Sequence, residues 1–308
     1  MDVSVIIVNY NSFNLLKQCL DSIFKFTFDI QFELIVIDNN SEKFNEDSIR
    51  ELNDKIIVIR NKKNLGFGHA NNQGLAIAKG KYVLFLNNDT IFFENTLKEV
   101  YLFAEKVTYP VIVGCKLLNI DKTLQHSVFD FPSLLNVFTS NFFLYALFPR
   151  SKYFNKYHLM NNKINYTAEV DVVIGAFLFC NTQKIKEING FDIRFFFYND
   201  ETDLCYRHRK NGGKIFYFPN VSVIHLGGGS ARRKSWFANK HRSISTIKYF
   251  QKHFPRMKLL IAVLIHFTGI LIRIPVFLVL GLITVNKDLI LRSYYYARLL
   301  FLYPSNQF

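Results

Sequence analysis

Over the first 117 residues, short apolar runs alternate with helix-patterned stretches, and the runs stop at polar or acidic residues. Val3–Val8 is one such run, followed by Asn11 and Ser12 as candidate caps for a helix over Leu15–Phe24. Glu33–Ile37 gives a second strand, ending at Asp38-Asn39-Asn40-Ser41. Ile56–Ile59 is a third. The loop Asn64-Leu-Gly66-Phe-Gly68 leads to a helix over Asn71–Ala78, which Gly80 ends. Tyr82–Leu86, a helix over Glu94–Lys106 and a strand over Val111–Lys116 complete the series. This alternation predicts an α/β fold with a mainly parallel, doubly wound sheet. In open sheets of this kind ligands bind outside the carboxyl ends of the strands, so the polar residues that stop the runs are the first candidates for a site.

From 118 to 168 the pattern weakens, and ten aromatic residues lie between Phe129 and Tyr157 without an assignable period. Order returns over Val170–Cys180. An acidic cluster, Asp200-Glu201-Thr202-Asp203, then opens a helix that ends at Asn211-Gly212-Gly213. Strands are expected over Lys214–Phe218 and Val221–His225. Residues 259–285 are almost wholly apolar but are interrupted by Arg273 and Pro275. The central arginine costs roughly 2.5–3.5 kcal/mol on insertion scales. A split at Arg273–Pro275 into two membrane-interfacial helices is therefore expected, with a single tilted span or a buried hairpin as alternatives. Three segments follow: 1–117, the alternating half; 118–235, a second half of the same domain that carries the acidic cluster; and 236–308, a basic and apolar helical tail.

The formal net charge is +14, and it is unevenly spread: residues 206–258 hold thirteen Lys or Arg and no Asp or Glu. Such a stretch attracts phosphate-bearing partners. No nucleic-acid-binding motif accompanies it, which favours a nucleotide or an anionic membrane surface. Cys19, Cys115, Cys180 and Cys205 are isolated in apolar contexts, without the paired spacing of a zinc site. They predict buried thiols and a cytoplasmic protein. The first residues carry no basic region followed by an apolar stretch and cleavage site, so no signal peptide is expected.

The chemistry-bearing residues divide into two sets. The first strand lacks a GxGxxG fingerprint, and Asn71 stands where Gly66-Phe-Gly68 would need a third glycine, which disfavours a dinucleotide cofactor. Asp38 is placed to accept hydrogen bonds from a nucleobase or ribose, or to serve as a turn residue. Asn88-Asp89 follows an apolar strand. Mg2+ or Mn2+ takes one or two carboxylates together with substrate phosphates, so diphosphate oxygens would complete its shell there. Asp200, Glu201 and Asp203 either favour a helix dipole, with Asp203 pairing to Arg207, or raise one another's pKa to make a general base. His225 ends a strand before a glycine run, and Arg232, Arg233 and Lys234 follow it.

The sequence resembles the family 2 glycosyltransferases, particularly their rhamnosyltransferase-like branch. The resemblance is carried by Val3-Ser-Val-Ile-Ile-Val-Asn-Tyr-Asn-Ser12, Leu34-Ile-Val-Ile-Asp-Asn-Asn-Ser41, Asn64 to Gly74, Leu86-Asn-Asn-Asp-Thr90, Gly175-Ala176, Gly190-Phe-Asp192, Phe196 to Arg207 and Ile224 to Ser230. It implies a GT-A fold and an inverting, metal-dependent transfer from a nucleoside diphosphate sugar, dTDP- or UDP-linked, with 1–117 as the nucleotide-sugar-binding half and 118–235 as the acceptor-binding and catalytic-base half of one domain. Asn9, Asp38, Asn64, Gly66, Asn88 and Arg232 are then expected to bind the donor, and Gly175 and Ala176 to form the floor near donor and acceptor. Asp89 and His225 are expected to hold Mg2+ or Mn2+. The motif that would supply Asp89 reads Asn87-Asn88-Asp89 here, without its first Asp. By register Glu201 takes the base position, with Asp200 and Asp203 as the other candidates.

The expected enzyme moves a sugar, rhamnose by branch resemblance, to a hydroxyl of a lipid-linked saccharide in cell-surface polysaccharide synthesis. It would work at the cytoplasmic face of the cell membrane as a peripheral or monotopic protein. The alternative is a membrane-bound sugar-nucleotide binder without catalysis. A nucleotidyltransferase would instead release diphosphate.

Overall fold

The computed structural model describes residues 1–151, 153–155, 165–227 and 235–301. In chain order its elements are β1 (Val3–Asn9), α1 (Phe13–Phe26), β2 (Phe32–Asp38), α2 (Glu46–Leu52), β3 (Ile57–Arg60), α3 (Phe67–Ile77), β4 (Tyr82–Asn87), β5 (Thr90–Ile91), α4 (Thr96–Lys106), β6 (Val111–Leu118), β7 (Leu124–Gln125) and β8 (Val128–Phe129). Next come α5 (Leu134–Asn141), α6 (Leu144–Leu147), β9 (Ala168–Glu169), β10 (Val172–Val173), β11 (Phe177–Asn181), α7 (Thr182–Glu187), α8 (Asp200–Lys210), β12 (Lys214–His225), α9 (Trp236–His253), α10 (Arg256–Ile283) and α11 (Lys287–Leu300). The chain forms two compact units, one of residues 1–131 and 163–230, the other of 132–162 and 231–308. The aromatic stretch from 132 onward thus groups with the tail, although the sequence reading kept it with the sheet.

In the first unit the main sheet runs β3-β2-β1-β4-β11-β6-β12-β5. β3, β2, β1 and β4 are mutually parallel, and β6 and β12 are parallel. β11 is antiparallel to both β4 and β6. Every long strand except β11 therefore points the same way, and the carboxyl ends share one rim. The central strands are mostly apolar, as a sheet covered by helices requires. Leu16, Cys19, Leu20 and Ile23, at helical spacing on α1, are fully buried against one face. At about 1.5–3 kcal/mol for each large apolar side chain buried, this stripe outweighs the weak helix propensity of the flanking aromatics.

Three elements differ from the sequence reading. α2 was not foreseen: it buries only Ile49 and stands on local terms, with the Asn45 side chain accepting from the Ser48 N–H at 3.1 Å and Arg50 pairing with Glu46 at 2.6 Å. α3 starts at Phe67, four residues before Asn71, because Gly66 takes φ +85° and turns the chain into the helix there. The two strands expected over 214–225 are one strand, bulged between Phe218 and Ser222 around Pro219, which has no N–H to give a ladder.

The second unit is helical. The expected break at Arg273–Pro275 does not occur, and α10 runs unbroken with Pro275 inside it. Arg273 is held by local partners: its Nη1 donates to Asn141 Oδ1 at 2.6 Å, its Nη2 donates to the Ser140 carbonyl, and its guanidinium lies over the rings of Phe143 and Tyr296. The carboxyl end of α5 thus receives the cation, as a helix dipole favours. Ser293 on α11 donates to the Ile274 carbonyl at 2.8 Å beside the proline. α10 is long and apolar enough to cross a membrane by length and composition, with a mean hydropathy of 2.3 over its most apolar window. Met257, Leu260, Leu264 and Leu282, spaced along it, are each more than half exposed.

Candidate functional site

The parallel register places Asn9 beside Asp38, and Val8 beside Asn87, at the shared rim. Asn9 Nδ2 donates to Asp38 Oδ1 at 2.9 Å and to Ser41 Oγ at 3.0 Å, while Asn88 Nδ2 donates to Asn9 Oδ1 at 2.9 Å. Asp38 is fully buried, accepts from the Ser41 N–H at 3.1 Å, and has the Arg60 Nε at 4.0 Å. Asn39, which the sequence reading did not single out, ties the neighbouring loop: its Nδ2 donates to Asn64 Oδ1 at 2.9 Å and its Oδ1 accepts from the Leu65 N–H at 3.0 Å. Asn64 in turn accepts from the Gly66 N–H. A cavity of about 850 Å³ opens next to this network, lined by Asn11, Ser12, Phe13, Glu42, Lys43 and Phe44 among others. It lies beyond the ends of β1 and β2, and its lining does not include Asp89, His225 or Glu201.

Asp89 and His225 meet across the sheet, although β11 and β6 separate β4 from β12. After Asp89 the chain forms β5, which pairs antiparallel with the end of β12, Thr90 opposite His225. The Leu226 N–H donates to the Asp89 carbonyl at 2.9 Å. As a result His225 Nε2 lies 3.2 Å from Asp89 Oδ1, with each residue 6% exposed. Asn87 Nδ2 is 3.3 Å from the same Nε2, and Gln125 Oε1 is 2.6 Å from the opposite ring nitrogen, Nδ1. Gln125 was missed from sequence because the two-residue β7 that carries it has no periodic signal.

The donor set suits a hard or borderline divalent cation: one carboxylate oxygen and one imidazole nitrogen. Adjacent ligands on an octahedral ion at about 2.1 Å are about 3 Å apart, close to the spacing seen here. Among the described residues no group of three or more His, Cys, Asp or Glu is arranged to hold a metal, so phosphate oxygens and water would have to supply the remaining ligands.

The second acidic set reaches this rim through Gly175 and Ala176. The Asn87 N–H donates to the Ala176 carbonyl at 3.1 Å. A Cβ placed on Gly175 would sit 3.8 Å from Glu201 Cβ and from the Phe67 ring. The chain enters α8 through two left-handed residues, Tyr198 and Asn199, a conformation unusual for a tyrosine. Glu201 is partly exposed, while Asp200 is 4% exposed with its Oδ2 unpartnered among the described residues. Burial, then the charge and hydrogen bond of Asp200, push the Glu201 carboxyl well above the usual carboxylate range. Burial also raises Asp200. Asp203 is occupied differently: Arg207 Nε donates to its Oδ2 at 2.7 Å, and the same guanidinium donates to the carbonyls of Ile188 and Gly190. That pairing makes Asp203 part of the clamp on the turn before the acidic cluster. Arg232, Arg233 and Lys234 lie outside the described residues.

Comparison with known proteins agrees with this architecture. The chain is 29% identical over 197 residues to rhamnosyltransferase WbbL of Escherichia coli, covering 61% of this chain and 70% of that protein. It is 29% identical over 119 residues to the poly(ribitol-phosphate) beta-glucosyltransferase of Bacillus spizizenii, covering 37% of this chain and 19% of that much longer protein. Among solved structures, mannosyltransferase PcManGT from Pyrobaculum calidifontis, in complex with GDP-Man and Mn2+, superposes with a TM-score of 0.57 at 14% identity, over 97% of this chain and 86% of that one. S. aureus TarS 1–349 gives 0.52 at 17% identity, over 87% and 72%. These likenesses show a GT-A fold. The family model Glycosyl transferase family 2 matches residues 4–177, more than half of the sequence and a range that includes Asn9, Asp38, Asp89 and Ala176, and the chain belongs to that family.

Proposed function

We propose that this glycosyltransferase moves a sugar from a nucleoside diphosphate sugar, dTDP- or UDP-linked, to a hydroxyl of a saccharide acceptor, with inversion at the anomeric carbon. The observation that carries the reading is the Asp89–His225 pair, set at the same rim as the buried Asn9–Asp38–Asn88 network and joined through Ala176 and Gly175 to Glu201. Asp38, with Asn9, Asn64, Gly66 and Asn88 around it, would orient the nucleoside. Asp89 and His225 would hold Mg2+ or Mn2+, which supplies Lewis-acid neutralisation of charge on the departing diphosphate. Glu201 would take the proton of the acceptor hydroxyl as that oxygen attacks the face opposite the leaving group. Its raised proton affinity suits a general base, and its partly open side suits contact with an acceptor. Asp200 acts on Glu201 through the shared hydrogen bond, and Asp203 supports the helix start. Rhamnose is the favoured sugar because the E. coli relative is a rhamnosyltransferase.

The apolar α10 and the basic composition of residues 206–258 support work at the cytoplasmic face of a membrane on a lipid-linked acceptor in polysaccharide synthesis. The test is donor turnover by the purified chain with Mn2+, run beside Glu201→Gln. The variant is expected to lose transfer while still binding uridine diphosphate. Undiminished transfer by Glu201→Gln would refute the assignment of the base. Donor binding without turnover in the unsubstituted chain would favour a non-catalytic binder.

A further inference from the structure

The His225 ring sits at the end of a directed series of hydrogen bonds that the loop between β6 and β7 builds. At its far end Asp121 is an exposed carboxylate held below its ordinary range by hydrogen bonds from Thr123. A carboxylate accepts only. Thr123 Oγ1 donates to Asp121 Oδ1 at 2.6 Å, so its hydrogen is spent, and it accepts from Asn119 Nδ2 at 2.9 Å. With its amide nitrogen engaged, Asn119 presents Oδ1, which accepts from Gln125 Nε2 at 3.0 Å. Gln125 Nε2 also donates to the His225 backbone carbonyl at 3.2 Å, a second group that can only accept. Both anchors orient the Gln125 amide the same way, and its Oε1 therefore faces His225 Nδ1 at 2.6 Å. An acceptor at that distance requires a proton on Nδ1. In the neutral ring this leaves the lone pair on Nε2, which points at Asp89 Oδ1 and at the amide nitrogen of Asn87.

Two acceptors 3.2 Å apart repel unless a proton or a cation lies between them. We propose that Gln125 is a positioning residue that fixes His225 in the Nδ1–H tautomer, and that the 119–125 loop thereby aims the Nε2 lone pair beside Asp89 to receive a divalent cation. This rests on the reading of Asp89 and His225 as cation ligands, and it adds the residues that prepare the imidazole. Outer partners of this kind typically change metal affinity 10–100-fold. Gln125 is 8% exposed and belongs to the first unit together with every member of the series.

The experiment uses the full chain in two independent readouts. Ring 15N NMR, with the His225 signals assigned by their loss in His225→Asn, reports the tautomer without any metal. Mn2+ titration followed by electron paramagnetic resonance, with and without uridine diphosphate, reports affinity. The unsubstituted protein should show the Nδ1–H form. Gln125→Met, close in volume but without an acceptor oxygen, should mix the tautomers and weaken Mn2+ binding by about 10–100-fold. Gln125→Met should keep the folded amide spectrum and the metal-free uridine diphosphate affinity of the unsubstituted chain, and this separates positioning from a folding defect. An Nε2–H ring in the unsubstituted protein, or undiminished Mn2+ affinity in Gln125→Met, would overturn the proposal while leaving the cation site standing. Mn2+ affinity unchanged in His225→Asn would instead overturn the cation reading, and the NMR result would still decide whether Gln125 sets the ring.

Discussion

Glu201 and Asp200 are adjacent carboxyls of unequal exposure, and their coupling makes a prediction about pH. Because burial and Asp200 raise the Glu201 pKa, this carboxyl stays protonated above the ordinary carboxylate range, and in the proposed role of base it becomes competent only as pH rises through its raised value. Transfer should therefore fall off on the acid side. Asp200→Asn removes the neighbouring charge but not the burial, and should move the acid limb of the kcat/KM profile part of the way to lower pH. A limb that stays in place in Asp200→Asn would show that another group sets it. The same shift has a stability counterpart: the native state holds a proton that the unfolded chain releases. This contribution is present below the ordinary Glu value and is lost as pH rises through the raised native one.

At this scale the positions of the candidate residues were readable, because Asn9, Asp38 and His225 each end a strand and Asp89 follows one closely. The Asp203 partner was readable too, from its spacing to Arg207. Gln125 was not, since its role comes from a ring exactly one hundred positions away along the chain, and no local pattern encodes that.

Among the elements, α10 shows best why local rules failed. An arginine and a proline two positions apart argue for a break when judged on that stretch alone. The structure pairs the arginine with the end of α5, more than 130 positions earlier, and that long-range contact reverses the outcome. Arg273→Met should then leave the buried Asn141 amide oxygen without this donor, while water can reach the exposed Ser140 carbonyl, and lower stability by about 1–3 kcal/mol, the cost of orphaning a buried polar group. Chemical denaturation followed by circular dichroism would measure it, and an unchanged midpoint would mean that water replaces the guanidinium. α2 failed for the opposite reason. Its cap and ion pair are short-range, but it offers a single core residue, too little for a periodicity argument. The parallel strands succeeded because burial on both faces leaves an uninterrupted apolar run that few other structures require.

For the whole molecule, the division into two units matters more than the sheet. The first carries the rim chemistry. The second carries an apolar helix whose outward residues, Met257, Leu260, Leu264 and Leu282, recur at helical spacing. The full chain should cosediment with vesicles containing anionic lipid, less so as salt rises, because basic residues contribute about 1 kcal/mol each near such a surface. Leu260→Lys with Leu264→Lys should abolish this association while leaving uridine diphosphate binding intact. Equal cosedimentation by that double variant would place the contact elsewhere. The sequence set the tail apart by composition and left 118–168 without an assigned structure, whereas 132–162 clusters with the tail; aromatic richness alone does not say which core a segment joins.

β5 is only two residues long, yet it straps the end of β4 to the end of β12 and so spans the strands lying between them. Were β12 to peel outward, the strap would go with it and the carboxylate and imidazole would part. On the proposed reading of Asp89 and His225 as cation ligands, occupancy at the rim is thereby linked mechanically to the sheet's distal margin. Amide hydrogens over 222–226 should exchange more slowly once Mn2+ and uridine diphosphate are added, and a rate unmoved by loading would show that the margin opens without disturbing the ligands.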